Sequence, residues 1–212
     1  MDNSINDRSK LKDFLSRYGF LIFSLVYLLI AFKLLPDYGI GFDSPKNFDE
    51  GWINLNYLLT GRTSLHDQIS LTFQVHGAFF FMAADLFKRV LSDGLGWLNP
   101  VSARHAFLPI LVFFFMNLCY AFLKKRTGTG IAFLTCALLI TTPCFFGHTF
   151  NNVKDIPLVV FFSLSILCFY EWRNSGFQRS RYLYGAFLGL GLALLSKLYA
   201  ILIPVILALW LT

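Results

Sequence analysis

Long runs of apolar residues, separated by short polar segments, constrain this chain more than any other feature. The first run covers residues 18–35 and reads YGFLIFSLVYLLIAFKLL. About 20 predominantly apolar residues span the hydrocarbon core of a bilayer as a helix, so this run predicts a transmembrane helix. It is longer than the core of a signal peptide and no small-residue cleavage site follows, so we expect a retained membrane anchor.

Further apolar runs predict four more spans and one incomplete span. They lie at residues 104–123, 129–147, 156–172 and 182–197, with the incomplete span at 198–212. Only 14% of the residues are charged and 56% are hydrophobic, whereas about a quarter of the residues of soluble domains are charged. This composition excludes an ordinary soluble enzyme. We expect an all-α fold, a polytopic transmembrane helix bundle that forms one domain over residues 1–212.

The last run is short for a complete span. From residue 198 onward a helix would extend about 22 Å, at about 1.5 Å per residue, whereas the hydrocarbon core of a bilayer is about 30 Å thick. We therefore expect this sequence to be part of a longer protein.

Positive charge predicts how the chain is oriented in the membrane. The 1–17 tail, the cluster at 124–126 and the loop at 173–181 hold ten of the 18 Lys and Arg residues. Because cytoplasmic loops are enriched in these residues, we expect all three segments, and hence the N-terminus, in the cytoplasm. That arrangement requires residues 71–91 not to cross. We predict that they form an interfacial helix within an outer-face loop at 36–103. Orientation explains the net charge of +6, and we expect no nucleic-acid binding.

Carboxylates near the starts of predicted helices are the first candidate site residues. The segment DEGWINLNYLLTG, residues 49–61, has apolar residues at helical spacing and predicts an amphipathic helix that Gly61 ends. Its Asp49 and Glu50 offer a general base or a cation ligand, or they complement the helix dipole. Asp155 precedes Ile156-Pro157, which open a spanning helix. It is either a second carboxylate facing the first or a capping acid.

Basic and polar side chains accompany these acids. Lys197 lies in an apolar run near the predicted outer boundary, where its ammonium would suit a lipid phosphate or would snorkel to headgroups. His148, Asn152 and Lys154 come shortly before Asp155 and add donors and possible ligands. His76, in the predicted interfacial helix, contacts either substrate or the interface. The pair Gly185 and Gly189 forms a GxxxG motif that predicts close helix packing.

The order of these features resembles the polyprenyl-phosphate-dependent glycosyltransferases of the GT-C fold, such as the protein O-mannosyltransferases and the lipid A aminoarabinose transferases. The resemblance rests on Asp49-Glu50 in FDEGWINLNYLLTG, on Arg104 at the start of the next span, on Asp155 in NNVKDIPL and on Lys197 in LLSKLYAILIPV. It covers nearly the whole chain, but only the N-terminal half of such an enzyme. Ser196 and Leu198 replace the usual Thr and Gly, and His76-Gly77 stands where some members have Lys-Pro.

The resemblance implies an inverting transfer of a sugar from a polyprenyl-phosphate donor to a glycan, lipid or protein acceptor. The reaction would take place on the outer face of a membrane, which we expect to be a bacterial inner membrane. Asp49 would be the general base, and Lys197 and Arg104 would hold the lipid phosphate. Asp155 would position the acceptor or share Mg²⁺ or Mn²⁺ with Asp49, although some relatives need no metal.

Two other kinds of function stay open from the residues alone. The chain could be half of a transporter or flippase, or a non-catalytic or truncated membrane subunit. Transporter halves contain internal repeats, and this sequence shows none. A subunit would copurify with a partner that supplies further helices.

Overall fold

The computed structural model describes residues 2–61 and 77–211. In these ranges the chain consists of helices joined by short loops and contains no strand. The α-helices are, in chain order, α1 (Asp2–Leu34), α2 (Ser44–Thr60), α3 (Phe79–Lys88), α4 (Pro100–His105), α5 (Phe107–Thr127), α6 (Thr129–Thr141), α7 (Pro143–His148), α8 (Asp155–Asn174), α9 (Ser180–Leu194) and α10 (Leu202–Leu211). Short 3₁₀-helices occupy Leu35–Asp37 and Leu198–Ile201, and a π-helix occupies Arg89–Gly94. The predicted all-α fold is confirmed.

Several helices match the predicted spans. Within the described residues, three stretches are long and apolar enough to cross a membrane: Tyr18–Asp37, Pro100–Thr127 and Asp155–Asn174. They contain the predicted spans at 18–35, 104–123 and 156–172. Two shorter apolar helices, Thr129–Thr141 and Leu198–Leu211, fall within the predicted runs 129–147 and 198–212.

The run at 129–147 is not one continuous helix. α6 ends at Thr141, because Thr142 is extended with φ −60° and ψ 120°, and Pro143 begins α7. Proline disfavours a helical conformation of the residue before it and lacks the N–H that a continuing helix needs. Pro143 therefore divides the run into two helices.

The helix predicted between Asp49 and Gly61 is confirmed, and it begins earlier than predicted. α2 starts at Ser44 and ends at Thr60, and Gly61 follows in the left-handed conformation with φ 66°. Glycine adopts that conformation without the steric cost that a Cβ imposes. The Gly61 N–H donates to the Tyr57 carbonyl, which satisfies one of the last carbonyls of the helix.

The predicted interfacial helix at 71–91 is described only from residue 77. There α3 continues into the π-helix, and neither is among the described helices that are long and apolar enough to cross a membrane. α3 packs closely against α2, since a Cβ on Gly51 would lie 2.4 Å from the Phe81 carbonyl oxygen. The placement of 71–91 in the interface stays a prediction.

Ion pairs at the two ends of the bundle define the relative direction of the spans. At one end, Arg126 of α5 binds Glu171 of α8 at 2.7 Å. At the other end, Lys154, just before α8, binds Asp43, which follows α1, at 3.0 Å. α5 and α8 therefore run in the same direction, starting from the end of the bundle where α1 finishes. α4, which leads into α5, therefore also begins at that end of the bundle.

The GxxxG motif brings α8 and α9 together, as predicted. A Cβ on Gly185 would lie 2.9 Å from the sulfur of Cys168, and one on Gly189 would lie 2.9 Å from the backbone nitrogen of Ser165. The Ser165 hydroxyl donates to the Ala186 carbonyl at 2.8 Å. The close packing of these two helices fixes the end of α9 beside the start of α8.

Candidate active site

A cleft of about 360 Å³ opens at the end of the bundle where α8 begins. Three separate parts of the chain line it: residues 41–44 and 47, residues 148 and 151–155, and Lys197. The cleft thus brings together five of the residues that the sequence singles out, namely His148, Asn152, Lys154, Asp155 and Lys197.

Asn152 organises the turn that leads into α8. Its side-chain oxygen accepts hydrogen bonds from the backbone N–H groups of Lys154 and Asp155, at 3.2 and 2.8 Å, which is the pattern of an Asx turn. Its amide nitrogen donates to Asp155 Oδ2 at 2.8 Å and lies 3.1 Å from His148 Nδ1. Because an amide nitrogen only donates, Nδ1 of His148 accepts, and a neutral His148 ring carries its proton on Nε2.

Lys197 occupies a break between two helices. α9 ends at Leu194, and Lys197 is extended with φ −150° and ψ 144°. The ammonium of Lys197 binds Oδ1 of Asp155, and the hydroxyl of Ser196 donates to the Lys154 carbonyl. The predicted span at 182–197 therefore ends three residues early, and the break directs the lysine into the cleft.

A second ion pair joins the two loops that line the cleft. Lys154 Nζ lies 3.0 Å from Asp43 Oδ2, with side chains 17% and 59% exposed. An exposed pair of this kind contributes little to stability. Its consequence is positional, because it holds the segment before α2 against the start of α8. Each ammonium in the cleft, from Lys154 and from Lys197, thus has a carboxylate neighbour that orients it.

The two members of the acidic pair, Asp49 and Glu50, differ in their exposure to solvent. Asp49 is exposed and does not line the cleft, whereas Glu50 is buried with 4% of its surface accessible. Burial raises the pKa of Glu50 to about 7, and the positive charge of Lys154 acts in the opposite direction. Glu50 therefore exchanges its proton near neutral pH.

Arg104 lies outside the cleft, next to α2. Its Nη2 binds Asp85 Oδ1 at 3.1 Å, and its guanidinium carbon lies 4.6 Å above the ring centroid of Phe48. Phe48 directly precedes the acidic pair. The phosphate contact of Arg104 stays a prediction, and in the structure its guanidinium contacts Asp85 and Phe48.

His76 lies outside the described residues, but its neighbour approaches the lysine break. A Cβ on Gly77 would lie 1.8 Å from the Leu195 carbonyl oxygen, so the two backbones are in direct contact. Glycine is required there because a side chain would overlap that carbonyl. The start of the α3 region therefore packs against the turn that presents Lys197.

The predicted cation site at Asp49 and Asp155 lacks a full set of acidic and imidazole ligands among the described residues. Among the residues that the structure describes, no group of three or more His, Cys, Asp and Glu side chains could hold a metal ion. Asp155 Oδ1 binds the Lys197 ammonium and Oδ2 accepts from Asn152. The Mg²⁺ or Mn²⁺ site stays a prediction, and the proposed reaction includes no step at a metal.

The structure gives specific partners to two acids at this end of the bundle. Asp43 is one of several outer-loop acids in the sequence, and its partner Lys154 is 111 residues away. Asp85 is not among the candidate residues of the sequence analysis, yet it is 1% exposed and binds two arginines. An acid followed by an arginine four residues later, as with Asp85 and Arg89, was the available sign of a helical ion pair.

Comparison with known proteins identifies one family. Residues 100–212, just over half of the chain, match the family described as dolichyl-phosphate-mannose-protein mannosyltransferase. The matched region contains Arg104, the 148–155 loop and Lys197, and it begins after the acidic pair. No curated protein and no solved structure matches the chain significantly.

Proposed function

Because the chain belongs to the dolichyl-phosphate-mannose-protein mannosyltransferase family, we propose that it transfers mannose or a related sugar from a polyprenyl-phosphate donor to a hydroxyl acceptor. Membership makes it a membrane glycosyltransferase of the mannosyltransferase type. The donor, the acceptor, the side of the membrane and the roles of individual residues belong to the proposal.

One observation supports the proposal most directly. Lys197, Lys154 and their carboxylate partners converge on a single cleft from parts of the chain that are far apart in sequence. Lys197 lies at the boundary of an apolar region, where a polyprenyl tail can remain in lipid while its phosphate reaches the ammonium. A positive charge aimed at the leaving phosphate stabilises the charge that develops there.

The proposed reaction is a direct displacement at the anomeric carbon. Asp49 removes the proton of the acceptor hydroxyl, and the oxygen bonds to the anomeric carbon with inversion. The bond from that carbon to the phosphate oxygen breaks, and its electron pair leaves with the polyprenyl phosphate. Lys197 holds that phosphate, with Arg104 as a second candidate. Asp155, fixed by Asn152, orients the acceptor, and His148 and Lys154 offer donors to the sugar and phosphate oxygens.

The orientation in the membrane is part of the same proposal. Lys124, Lys125 and Arg126 end α5, and Arg173 lies in the last turn of α8, at the end of the bundle opposite the cleft. The positive-inside rule then favours a cleft that faces the outer side. A cysteine at position 125 that an impermeant reagent labels in intact cells would contradict this orientation.

The base assignment is tested in the full-length protein with a polyprenyl-phosphate mannose donor and a serine- and threonine-containing peptide acceptor. Asp49→Asn is expected to lower kcat by about 10²–10⁴, the usual contribution of a positioned base. Asp37→Asn is a matched control, because Asp37 is another exposed acid after α1. Unchanged transfer in Asp49→Asn would contradict the base assignment.

The phosphate assignment has its own test. Lys197→Met is expected to weaken binding of polyprenyl phosphate and to raise the donor KM, since the ammonium is lost and the stem is kept. Lys33→Met serves as the control, because Lys33 is an exposed lysine near the end of α1. Equal donor affinity in both variants would remove Lys197 from the phosphate site.

A further inference from the structure

A buried carboxylate in α3 binds two arginines. Asp85 is 1% exposed. Its Oδ2 accepts from Arg89 Nε at 2.9 Å, and its Oδ1 accepts from Arg104 Nη2 at 3.1 Å. A buried carboxylate is costly unless it is paired and hydrogen-bonded, and here both of its oxygens are engaged.

Both arginines extend from Asp85 to α2. Arg89 Nη2 donates to Asn56 Oδ1 at 2.6 Å, and the Arg104 guanidinium lies 4.6 Å above the ring of Phe48. Phe48 and Asn56 are eight residues apart in the sequence, or about 12 Å along the helix axis. The close backbone approach at Gly51 lies between them. Two separated anchors and one close contact together fix both the rotation and the axial position of α2.

The rotation of α2 decides which member of the acidic pair meets solvent. Asp49 is exposed and Glu50 is buried. Successive residues of a helix point about 100° apart, so a turn of α2 by that amount would exchange the surroundings of the two carboxylates. The contacts of Asp85 therefore bear directly on the presentation of the proposed base.

We propose that Asp85 is a positioning residue of the transferase. Through Arg89 and Arg104 it holds α2 in the rotation that presents Asp49 to the acceptor and keeps Glu50 buried. This role rests on the proposed function. It also assigns Arg104 a role in positioning α2, which differs from the predicted phosphate contact.

The first experiment measures the rotation of α2 without any need for activity. Single cysteines are introduced as Asp49→Cys or Glu50→Cys in the full-length protein, with the exposed Cys144 replaced by serine. The rate of maleimide modification is expected to be at least about tenfold higher at position 49, because thiol modification follows exposure. Asp85→Asn is expected to bring the two rates together, and Asp85→Glu, which keeps the charge, to restore much of the difference.

A matched acid in the same helical segment is the control. Asp93 is 48% exposed and binds Lys88 at 2.6 Å. Asp93→Asn is expected to leave the ratio of the two rates unchanged. Phe48→Leu removes an α2 contact while leaving Asp85 with both arginines, so it tests the proposal if Asp85→Asn does not fold. A ratio that is unchanged in the folded Asp85→Asn protein, or in Phe48→Leu when Asp85→Asn does not fold, overturns the proposal.

The second experiment separates positioning from phosphate binding. Asp85→Asn is expected to lower kcat about 10- to 100-fold, as small displacements of a reacting group do. The dissociation constant for polyprenyl phosphate alone should stay within about twofold, since Lys197 does not contact this network and Arg104, in the positioning role, holds α2 and not the phosphate. If Asp85→Asn has a larger dissociation constant for polyprenyl phosphate and a normal kcat at saturating donor, the effect lies at the phosphate. That result overturns the proposal.

Failure of the proposed function would look different. If the wild-type protein transfers no sugar while the labelling ratio still depends on Asp85, the transferase reaction is refuted and the control of α2 by Asp85 stands. If transfer occurs and neither the ratio nor kcat responds to Asp85, the transferase reaction stands and the positioning role is refuted.

Discussion

Neutralising the buried Glu50 should stabilise the protein at high pH and leave its stability unchanged at low pH. Burial raises the pKa of Glu50 from 4.5 to about 7. Such a carboxyl binds its proton more tightly in the folded protein than in the unfolded one. Its cost to stability is therefore absent below pH 4.5, grows as the pH rises towards 7 and is complete above that value.

The magnitude follows from the two pKa values. A pKa difference of about 2.5, at about 1.4 kcal/mol for each unit, gives a cost of up to about 3 kcal/mol above pH 7. Glu50→Gln has nearly the same volume and carries no charge, so it should recover that amount at pH 8. For a protein of this size, about 3 kcal/mol corresponds to a rise in Tm of about 6–12 °C.

The assay is thermal unfolding of the detergent-solubilised protein, followed by tryptophan fluorescence at a fixed scan rate. Wild type and Glu50→Gln are compared at pH 4.5 and at pH 8, and the informative quantity is the change in their Tm difference. Asp49→Asn is the control, because a substitution at an exposed position usually changes stability by less than about 0.5 kcal/mol. A Tm difference that is the same at both pH values would refute the burial argument for Glu50.

Lys154→Met tests the second influence on the pKa of Glu50, which is the positive charge of Lys154. The positive charge of Lys154 lowers the pKa of Glu50, against the larger effect of burial. Lys154→Met should therefore raise that pKa further. The loss of stability should then extend to a higher pH than in wild type. If the loss of stability is complete at the same pH in wild type and in Lys154→Met, the charges of Lys154 and Glu50 do not interact.

Glycine substitutions give the remaining predictions. Gly189→Ala should destabilise the protein by about 1–3 kcal/mol through overpacking, because the new Cβ would meet the Ser165 backbone at 2.9 Å. Gly191→Ala, in the same helix with no atom within 4 Å, should stabilise it by up to about 1 kcal/mol, and equal Tm changes would contradict the packing model. Gly77→Ala should lower the rate of sugar transfer by about tenfold or more, because a Cβ would overlap the Leu195 carbonyl and displace the turn that carries Lys197. Normal donor affinity and kcat in this variant would show that the contact is dispensable.

Most of the helical architecture could be predicted from the sequence, because its causes are local. Apolar runs of sufficient length predict helices in a membrane, and Gly61 ends α2 because its left-handed conformation suits glycine. The division of the 129–147 run was also readable in principle, since Pro143 interrupts it. The prediction of one span over 129–147 rested on length and hydropathy and did not take Pro143 into account.

The arrangement of the site depends on contacts that the sequence does not express. The order of charges predicted that Asp155 and Lys197 lie at one face, but the pairing of Asp43 with Lys154 joins residues 111 apart. Which of Asp49 and Glu50 is buried depends on the rotation of α2. That rotation is set by α3 and the start of the next span, through contacts of Asp85.

The break at Lys197 also makes this region depend on segments that are synthesised before it. Its turn contacts Gly77, Lys154 and Asp155, all of which leave the ribosome earlier. Backbone groups released by a broken helix are poorly tolerated in lipid unless protein covers them. The cover for this turn therefore comes from segments that precede it in the chain, and the turn reaches its final contacts only once those segments are in place.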